Sequence, residues 1–425
     1  MSTVRLFALF GILVTLMVIV AVLGAANFAL DGDSLPPLPR SQDLIAYVDL
    51  SGQVHTVTPT GSAVAKISPE EGFYTWPVWS PDSRRIAFSG SAPSGDRRSG
   101  LALYAYNVGD AQRTVMYVNE PGMGVILPGM PHYPLWAPDG SRMAVIASAR
   151  QGLTLYLSDL GANVVAEPAV RNAPLYASWS ADSHKLLVHG SADHYLITVN
   201  GRVEVEGLDI LSNRYRVPAW WPKGDRIVVV SEDEHERHAL FIVDLESGVR
   251  TMVDEVPGGV AFLWSPNGES LAVAHSASVG DIIYRGVSLF TPDGTKREIG
   301  IPDDLIAFFW SPDSTKMAYV APSGRRGVLT WKVFSVDEGS WWSLGDFTPS
   351  NTQLTVLQFF DQFAYSHSLW SPDSKSLVFS GTMSGVAVSA SMGLQPAPRI
   401  IVLDVGPDPS AETLANGVFA VWSPR

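Results

Sequence analysis

Short apolar runs alternate with polar turns along the whole chain after residue 43, and a tryptophan stands before one turn after another. The copies read WSPDSRRIAFSG from Trp79, WAPDGSRMAVIAS from Trp136, WSADSHKLLVHG from Trp179, WPKGDRIVVVS from Trp221, WSPNGESLAVAHS from Trp264, WSPDSTKMAYVAP from Trp310 and WSPDSKSLVFSG from Trp370. An eighth copy begins at Trp422 and ends the chain as Trp-Ser-Pro-Arg. Successive tryptophans stand 57, 43, 42, 43, 46, 60 and 52 residues apart. A recurrence of this kind marks one structural unit used many times.

Each copy predicts four short strands. The first leads into the tryptophan, as in residues 74–79, and Pro-Asp-Ser/Gly supplies the turn: Pro fixes φ, and Asp hydrogen-bonds its own turn. A short apolar second strand follows (residues 85–88), then a third ending in Asp or Asn (residues 104–107, 241–244), then a fourth (residues 113–118). Four strands in about 43 residues is the period of a β-propeller blade. No stretch after residue 30 keeps a helical period over about 11 residues. Residues 417–424 supply one first strand, and residues 44–49, 53–58 and 63–68 supply the other three strands of the same unit. The predicted fold is all-β: an eight-bladed β-propeller over residues 44–425 whose C-terminal strand closes the N-terminal blade. Closure of this kind removes exposed strand edges.

Residues 6–30 hold no charged side chain. As a helix this stretch measures about 37 Å, enough to cross a hydrocarbon core of about 30 Å with tilt. One reading is a transmembrane anchor over residues 1–30 followed by a linker over 31–43. The other is a cleaved signal peptide with Gly24, Ala25 and Ala26 at the cleavage site, although such apolar cores usually run about 7–15 residues. Arg5 precedes the span, and Asp31 and Asp33 follow it, so the N-terminus is expected in the cytoplasm and the remainder in the periplasm or extracellular space.

A net charge of −13 without any Lys/Arg run argues against a nucleic-acid partner. The absence of cysteine removes disulfides, Cys-based zinc and iron–sulfur sites and a thiol nucleophile. No Gly-x-Ser-x-Gly elbow, P-loop, His-Glu-x-x-His or Gly-x-Gly-x-x-Gly occurs. His235-Glu236-Arg237-His238 spaces its histidines three apart and reads as a solvated loop. His184, His189 and His194 read as strand residues pointing to different faces. Asp82, Asp139, Asp182, Asp313 and Asp373 read as turn caps rather than calcium ligands. The expectation is a protein without cofactor or metal and without enzymatic activity.

The uneven spacing comes from insertions at residues 119–132, 348–364 and 382–398. The first carries Met123, Val125, Ile126, Leu127 and Met130, and the second Leu354, Val356, Leu357, Phe359, Phe360 and Phe363. Two readings stand: these are exposed partner-binding loops on one face of the disc, or they fold over the wide central channel and bury themselves.

The Trp-Ser-Pro-Asp-Gly turn followed by Ile-Ala-Phe/Tyr-x-Ser resembles the repeat of TolB-like β-propellers, over about residues 44–425. The resemblance implies the propeller fold with structural roles for the motif residues: the Trp packs between blades and Pro-Asp makes the turn. TolB itself has six blades and an extra N-terminal domain for which this chain has no room, so its partners do not transfer. The functional expectation is a membrane-anchored extracytoplasmic propeller that serves as a protein-interaction scaffold or accessory subunit of a membrane or envelope complex. The alternative is a sensor that binds a small ligand or peptide; a hydrolase or lyase with a site on the propeller face is the third reading.

Overall fold

Where the second and third strands of a repeat are buried on both faces, they are near-continuous apolar runs. Ile227, Val228, Val229 and Val230 in Arg226–Glu232 and Leu240 to Val243 in His238–Asp244 are all buried. Outer strands face solvent and carry charge, as in Arg250–Glu255. The computed structural model describes residues 43–425 apart from 70, 92–100, 119–130, 150–151, 160–166, 173–174, 201, 213–215, 234 and 385–395. Met123, Val125, Ile126, Leu127 and Met130, the apolar stretch 6–30 and most of the 382–398 insertion therefore lie outside the described residues. Among the described residues no helix is long and apolar enough to cross a membrane.

The strands form antiparallel sheets in chain order. Sheet 1 joins Ile45–Val48, Val54–Val57 and Val64–Lys66 to the C-terminal strand Phe419–Trp422, with Ile45 opposite Trp422 and Val48 opposite Phe419. Sheets 2 to 6 hold four strands each, within residues 73–118, 131–172, 175–208, 219–255 and 259–305. Sheet 7 has seven strands between residues 307 and 416.

Pairing register fixes the repeat. Trp79 lies opposite Ile86, Trp136 opposite Met143, Trp179 opposite Leu186, Trp264 opposite Leu271 and Trp310 opposite Met317. Trp370 bridges Leu377 in the same way. In sheet 5 it is Trp220 that lies opposite Ile227. The repeat position there is Trp220, not Trp221. Trp221 takes the place of the motif serine, and its backbone N–H donates to Arg226 O as that of Ser80 does to Arg85 O. With two tryptophans in a row, only the strand register separates them.

Two kinds of hydrogen bond tie neighbouring sheets together. The indole N–H of five motif tryptophans reaches the carbonyl just before the tryptophan of the preceding sheet, while that of Trp422 donates to Asp43 instead. Trp79 donates to Val421 O at 3.4 Å, Trp136 to Val78 O at 3.3 Å and Trp179 to Leu135 O at 3.1 Å. Trp310 donates to Leu263 O at 3.2 Å and Trp370 to Phe309 O at 3.1 Å. The fifth motif residue makes the second link. Ser83, Ser183, Ser314 and Ser374 sit at φ 57–64°, a left-handed conformation unusual outside glycine. Each hydroxyl accepts a backbone N–H from the previous turn: Arg425, Asp139, Asn267 and Asp313, at 2.9–3.1 Å.

Sheet 5 breaks both rules. The indole N–H groups of Trp220 and Trp264, one on each of its flanks, are buried and find no acceptor, and the serine position is Gly224 or Gly268. At the sheet 5–6 border Trp221 compensates, donating to Gly268 O at 2.8 Å. At the sheet 4–5 border an exposed Lys185–Asp225 ion pair at 3.0 Å and a long Trp220 N–Ser178 Oγ contact of 3.4 Å stand in place of the missing links among the described residues.

The insertion at 348–364 corrects the expectation that it is a loop without helix. It forms α1 (Asn351–Gln358) and α2 (Phe360–Phe363). Ser350 caps α1 by accepting Gln353 N–H. The helices interrupt a ladder inside sheet 7: the strand Ser376–Met383 pairs through Gly381 to Met383 with Phe347 to Pro349, and through Leu377 with Trp370. In the gap, Ser380 O accepts Ser350 N–H and Ser380 N–H donates to the Gln353 side chain. Gln353, fully buried, thereby carries on the ladder in place of a strand backbone.

Candidate functional site: an aromatic hub

The helical insertion is where distant sheets converge. Phe363 stacks on Trp76 of sheet 2, centroids 5.2 Å apart and planes at 4°, and meets Tyr133 of sheet 3 edge-on at 5.6 Å. Phe360 packs on Phe308 of sheet 7 at 4.8 Å and on Tyr284 of sheet 6 at 5.8 Å. His367, just after α2, lies 5.7 Å from Phe419 of sheet 1. Polar contacts fix the same segment: Tyr133 donates to Gln362 O at 2.6 Å, and the Tyr365 hydroxyl accepts the backbone N–H of Trp264 at 3.1 Å. Trp76 is held at φ 53° beside a register shift between Thr75 and Val78. A bulky residue there is strained, and its ring stacks flat on Phe363.

Of the expected partner-binding residues, Leu357 and Phe360 are fully buried in this hub and Phe363 nearly so. Leu354 is half-buried against the same core, and Phe359 is 37 % exposed. Of the two readings of this insertion, the one in which it buries itself describes Leu357, Phe360 and Phe363. Phe363 uses its apolar area against sheets 2 and 3, and Phe360 against sheets 6 and 7.

Ser366 Oγ lies 2.7 Å from His367 Nδ1, the spacing of a nucleophile–base pair. Burial pushes the His367 imidazole down to about 3, which makes it a poor base near neutral pH. Among the described residues its Nε2 has no partner, so none of their carboxylates orients the ring. Ser366 also bonds the Tyr133 hydroxyl at 2.7 Å. The group is a packed network within the hub.

The histidines at 189 and 194 are brought together by a hairpin that the spacing argument missed. They lie opposite one another in the pairing of Lys185–Gly190 with Asp193–Val199, with rings stacked at 4.2 Å. His189 Nδ1 contacts Arg216 O and His194 Nδ1 contacts Ile210 O, both at 2.8 Å. These bonds hold the connection between sheets 4 and 5 onto sheet 4. Desolvation, and then the neighbouring His189, lower His194 to about 3; burial lowers His189 as well. The His235 loop is closed around Asp233, whose carboxylate accepts His235 N–H and Arg237 N–H. Among the described residues no three His, Asp or Glu side chains gather as a metal site would require. Asp82, Asp182, Asp313 and Asp373 each accept a serine hydroxyl and a backbone N–H of their own turn.

No family model matches the chain. Two curated relatives align with part of it: the Uncharacterized peptidase YuxL of Bacillus subtilis, 36 % identical over 67 residues, 16 % of this chain and 10 % of the relative, and the Probable dipeptidyl-peptidase 5 of Aspergillus terreus, 29 % identical over 143 residues, 31 % of this chain and 19 % of the relative. The chain therefore matches a fifth or less of these relatives' length. Among solved structures, dipeptidyl peptidase 4 of Porphyromonas gingivalis superposes with a TM-score of 0.53 at 13 % identity, covering 88 % of this chain and 59 % of that one. The chain has a nearly all-β, antiparallel fold of the kind seen in propeller-type proteins.

Proposed function

We propose that residues 44–425 form an eight-bladed, TolB-like β-propeller closed by the C-terminal strand. In this reading the seven strands of sheet 7 are two blades, and Trp370 marks the first strand of the second. The propeller is carried outside the cytoplasm on an N-terminal membrane helix and serves as a protein-interaction scaffold or accessory subunit of a membrane or envelope complex. The observation that supports a docking role over a channel-bound ligand is the hub. In this reading α1, α2 and the aromatic side chains packed on them fill the axis of the ring, where a propeller would take a small ligand. Work is then left to the faces and the rim.

Mild detergent extraction of the full-length protein, followed by native mass measurement, tests this. A complex with a second protein at fixed stoichiometry, and a chain that retains residues 1–30, are the expected results. A strictly monomeric particle, or a chain that begins near residue 27 and is released from membranes, overturns the corresponding part. A peptidase reading draws support from the names of the two relatives. It predicts hydrolysis of peptide substrates by the purified chain, which the scaffold reading does not.

A further inference from the structure

The strand Val203–Leu208, VEVEGL, is the outermost strand of sheet 4 and, among the described residues, pairs only with Asp193–Val199. It differs from the other outer strands. Val64–Lys66, Arg250–Glu255 and Ala411–Asn416 all include positions covered by neighbouring residues. Here every residue from Val203 to Gly207 is exposed.

Alternation divides the strand into two strips. Val203, Val205 and Gly207 share one face; the valines are 48 % and 46 % exposed, and a β-carbon at Gly207 would meet nothing within 4 Å. Glu204 and Glu206 point to the other face, opposite Thr198 and Leu196, which give them no opposite charge. Arg202 pairs with Glu204, and exposed Asp209 follows the strand. The strip remains net acidic. The border of sheets 4 and 5 lacks both the indole and the serine links, so the unlatched side of the fold is also where this edge stands uncovered.

We infer that Val203–Leu208 is a docking edge for an extended basic segment of a protein partner. The segment adds to sheet 4 as a further strand, placing aliphatic side chains over Val203 and Val205 and Lys or Arg side chains over Glu204 and Glu206. The charge pattern selects this occupant. Two copies of this chain meeting edge to edge would bring acidic strips together, and acidic residues on an edge block self-pairing. The inference deepens the docking role proposed above and rests on it.

The test uses the full-length protein in nonionic detergent and two fluorescein-labelled peptides of equal charge, Lys-Val-Lys-Val-Lys-Val and Lys-Pro-Lys-Pro-Lys-Pro, both capped. Fluorescence anisotropy is expected to show saturable binding of the first and none of the second, because proline cannot join a ladder. The double variant Glu204→Lys, Glu206→Lys should weaken the first peptide by about tenfold or more and gain binding of Glu-Val-Glu-Val-Glu-Val. Glu412→Lys on the outer strand Ala411–Asn416 should change either by less than about twofold. Equal binding of both lysine peptides, or indifference to the double variant, overturns the inference, since attraction to the net charge of −13 would then be sufficient. Native mass measurement of the double variant separates the two levels. A complex that survives the double substitution, with no selective peptide binding, removes the edge assignment alone. Selective peptide binding without any native complex removes the scaffold reading alone.

Discussion

At the scale of single residues, the motif serines carry two roles at once. Ser374 is buried at φ 61°, and its hydroxyl accepts Asp313 N–H at 3.1 Å. Replacing it separates bond from backbone. Ser374→Ala keeps the left-handed β-carbon and loses the bond, and should cost about 1 kcal/mol. Ser374→Gly loses the same bond but relieves the backbone, and should come out near zero. Urea midpoints at unchanged slope measure both; equal losses would mean that the bond alone matters. Buried histidines give a second residue-scale prediction. His194 and His367 have folded-state values near 3, well below an ordinary histidine near 6.5. The unfolded chain therefore takes up protons first, and the stability these groups contribute is full above about pH 6.5 and drains away as pH falls toward 3. Between pH 6.5 and 5, before most carboxylates titrate, each should remove about 2 kcal/mol. His367→Phe should flatten the fall in unfolding free energy over that interval, and an unchanged slope would contradict the assignment. The acidic turn caps were legible in the sequence because an Asp bonds its own turn two residues on. The serine links were not, because the donor lies a whole repeat away, as Asp139 does from Ser183.

At the scale of elements, the hub explains what sequence patterns hide. A surface helix announces itself by an apolar stripe. Helices α1 and α2 bury residues on several sides: Gln353, Val356 and Leu357 in the first, Phe360 and Phe363 in the second. The run is also only eight residues plus four, too short for periodicity to show. Its apolar character was legible; its destination was not, because that depends on five sheets brought together from residues 76 to 419. Trp221 and the His189–His194 pair failed for a related reason: strand register and hairpin pairing are properties of two segments, while spacing is a property of one. The hub makes a definite energetic prediction. Phe363→Ala removes a ring that stacks on Trp76 and touches Tyr133 and His367. Loss of packing should cost about 3–5 kcal/mol, offset by about 1 kcal/mol or more as Trp76 relaxes from φ 53°. A net loss of about 3 kcal/mol in denaturant unfolding is expected. A loss below about 1 kcal/mol would show that the hub is filler and not a keystone of the packing.

At the scale of the whole molecule, the first and last strands of the described residues are locked to one another. Val421 and Trp422 pair with Ala46 and Ile45. The Trp422 indole donates to Asp43, Ser423 N–H to Leu44 O, and Arg425 N–H to Ser83 Oγ. Sheet 7 is tied in as well, since Ser350 Oγ donates to Val418 O and Ser380 Oγ to Gly417 O. Deleting residues 417–425 therefore does more than remove one strand. It exposes the edge of Ile45–Val48, strips acceptors from Ser350 beside α1 and from Ser380 beside the gap in sheet 7, and takes Phe419 from the hub. A fold without cysteine has no disulfide to hold the ends while that edge stands open. The full-length chain should melt in one cooperative transition, and the truncated chain should melt earlier and more broadly. Amide exchange should rise first in sheet 1, at the new edge, and next at the border of sheets 4 and 5, where Trp220 has no acceptor and Gly224 offers no hydroxyl. A truncated chain that melts cooperatively at the full-length temperature would show that Phe419–Trp422 only lies beside Ile45–Val48, and that the stability of the sheets does not depend on this pairing.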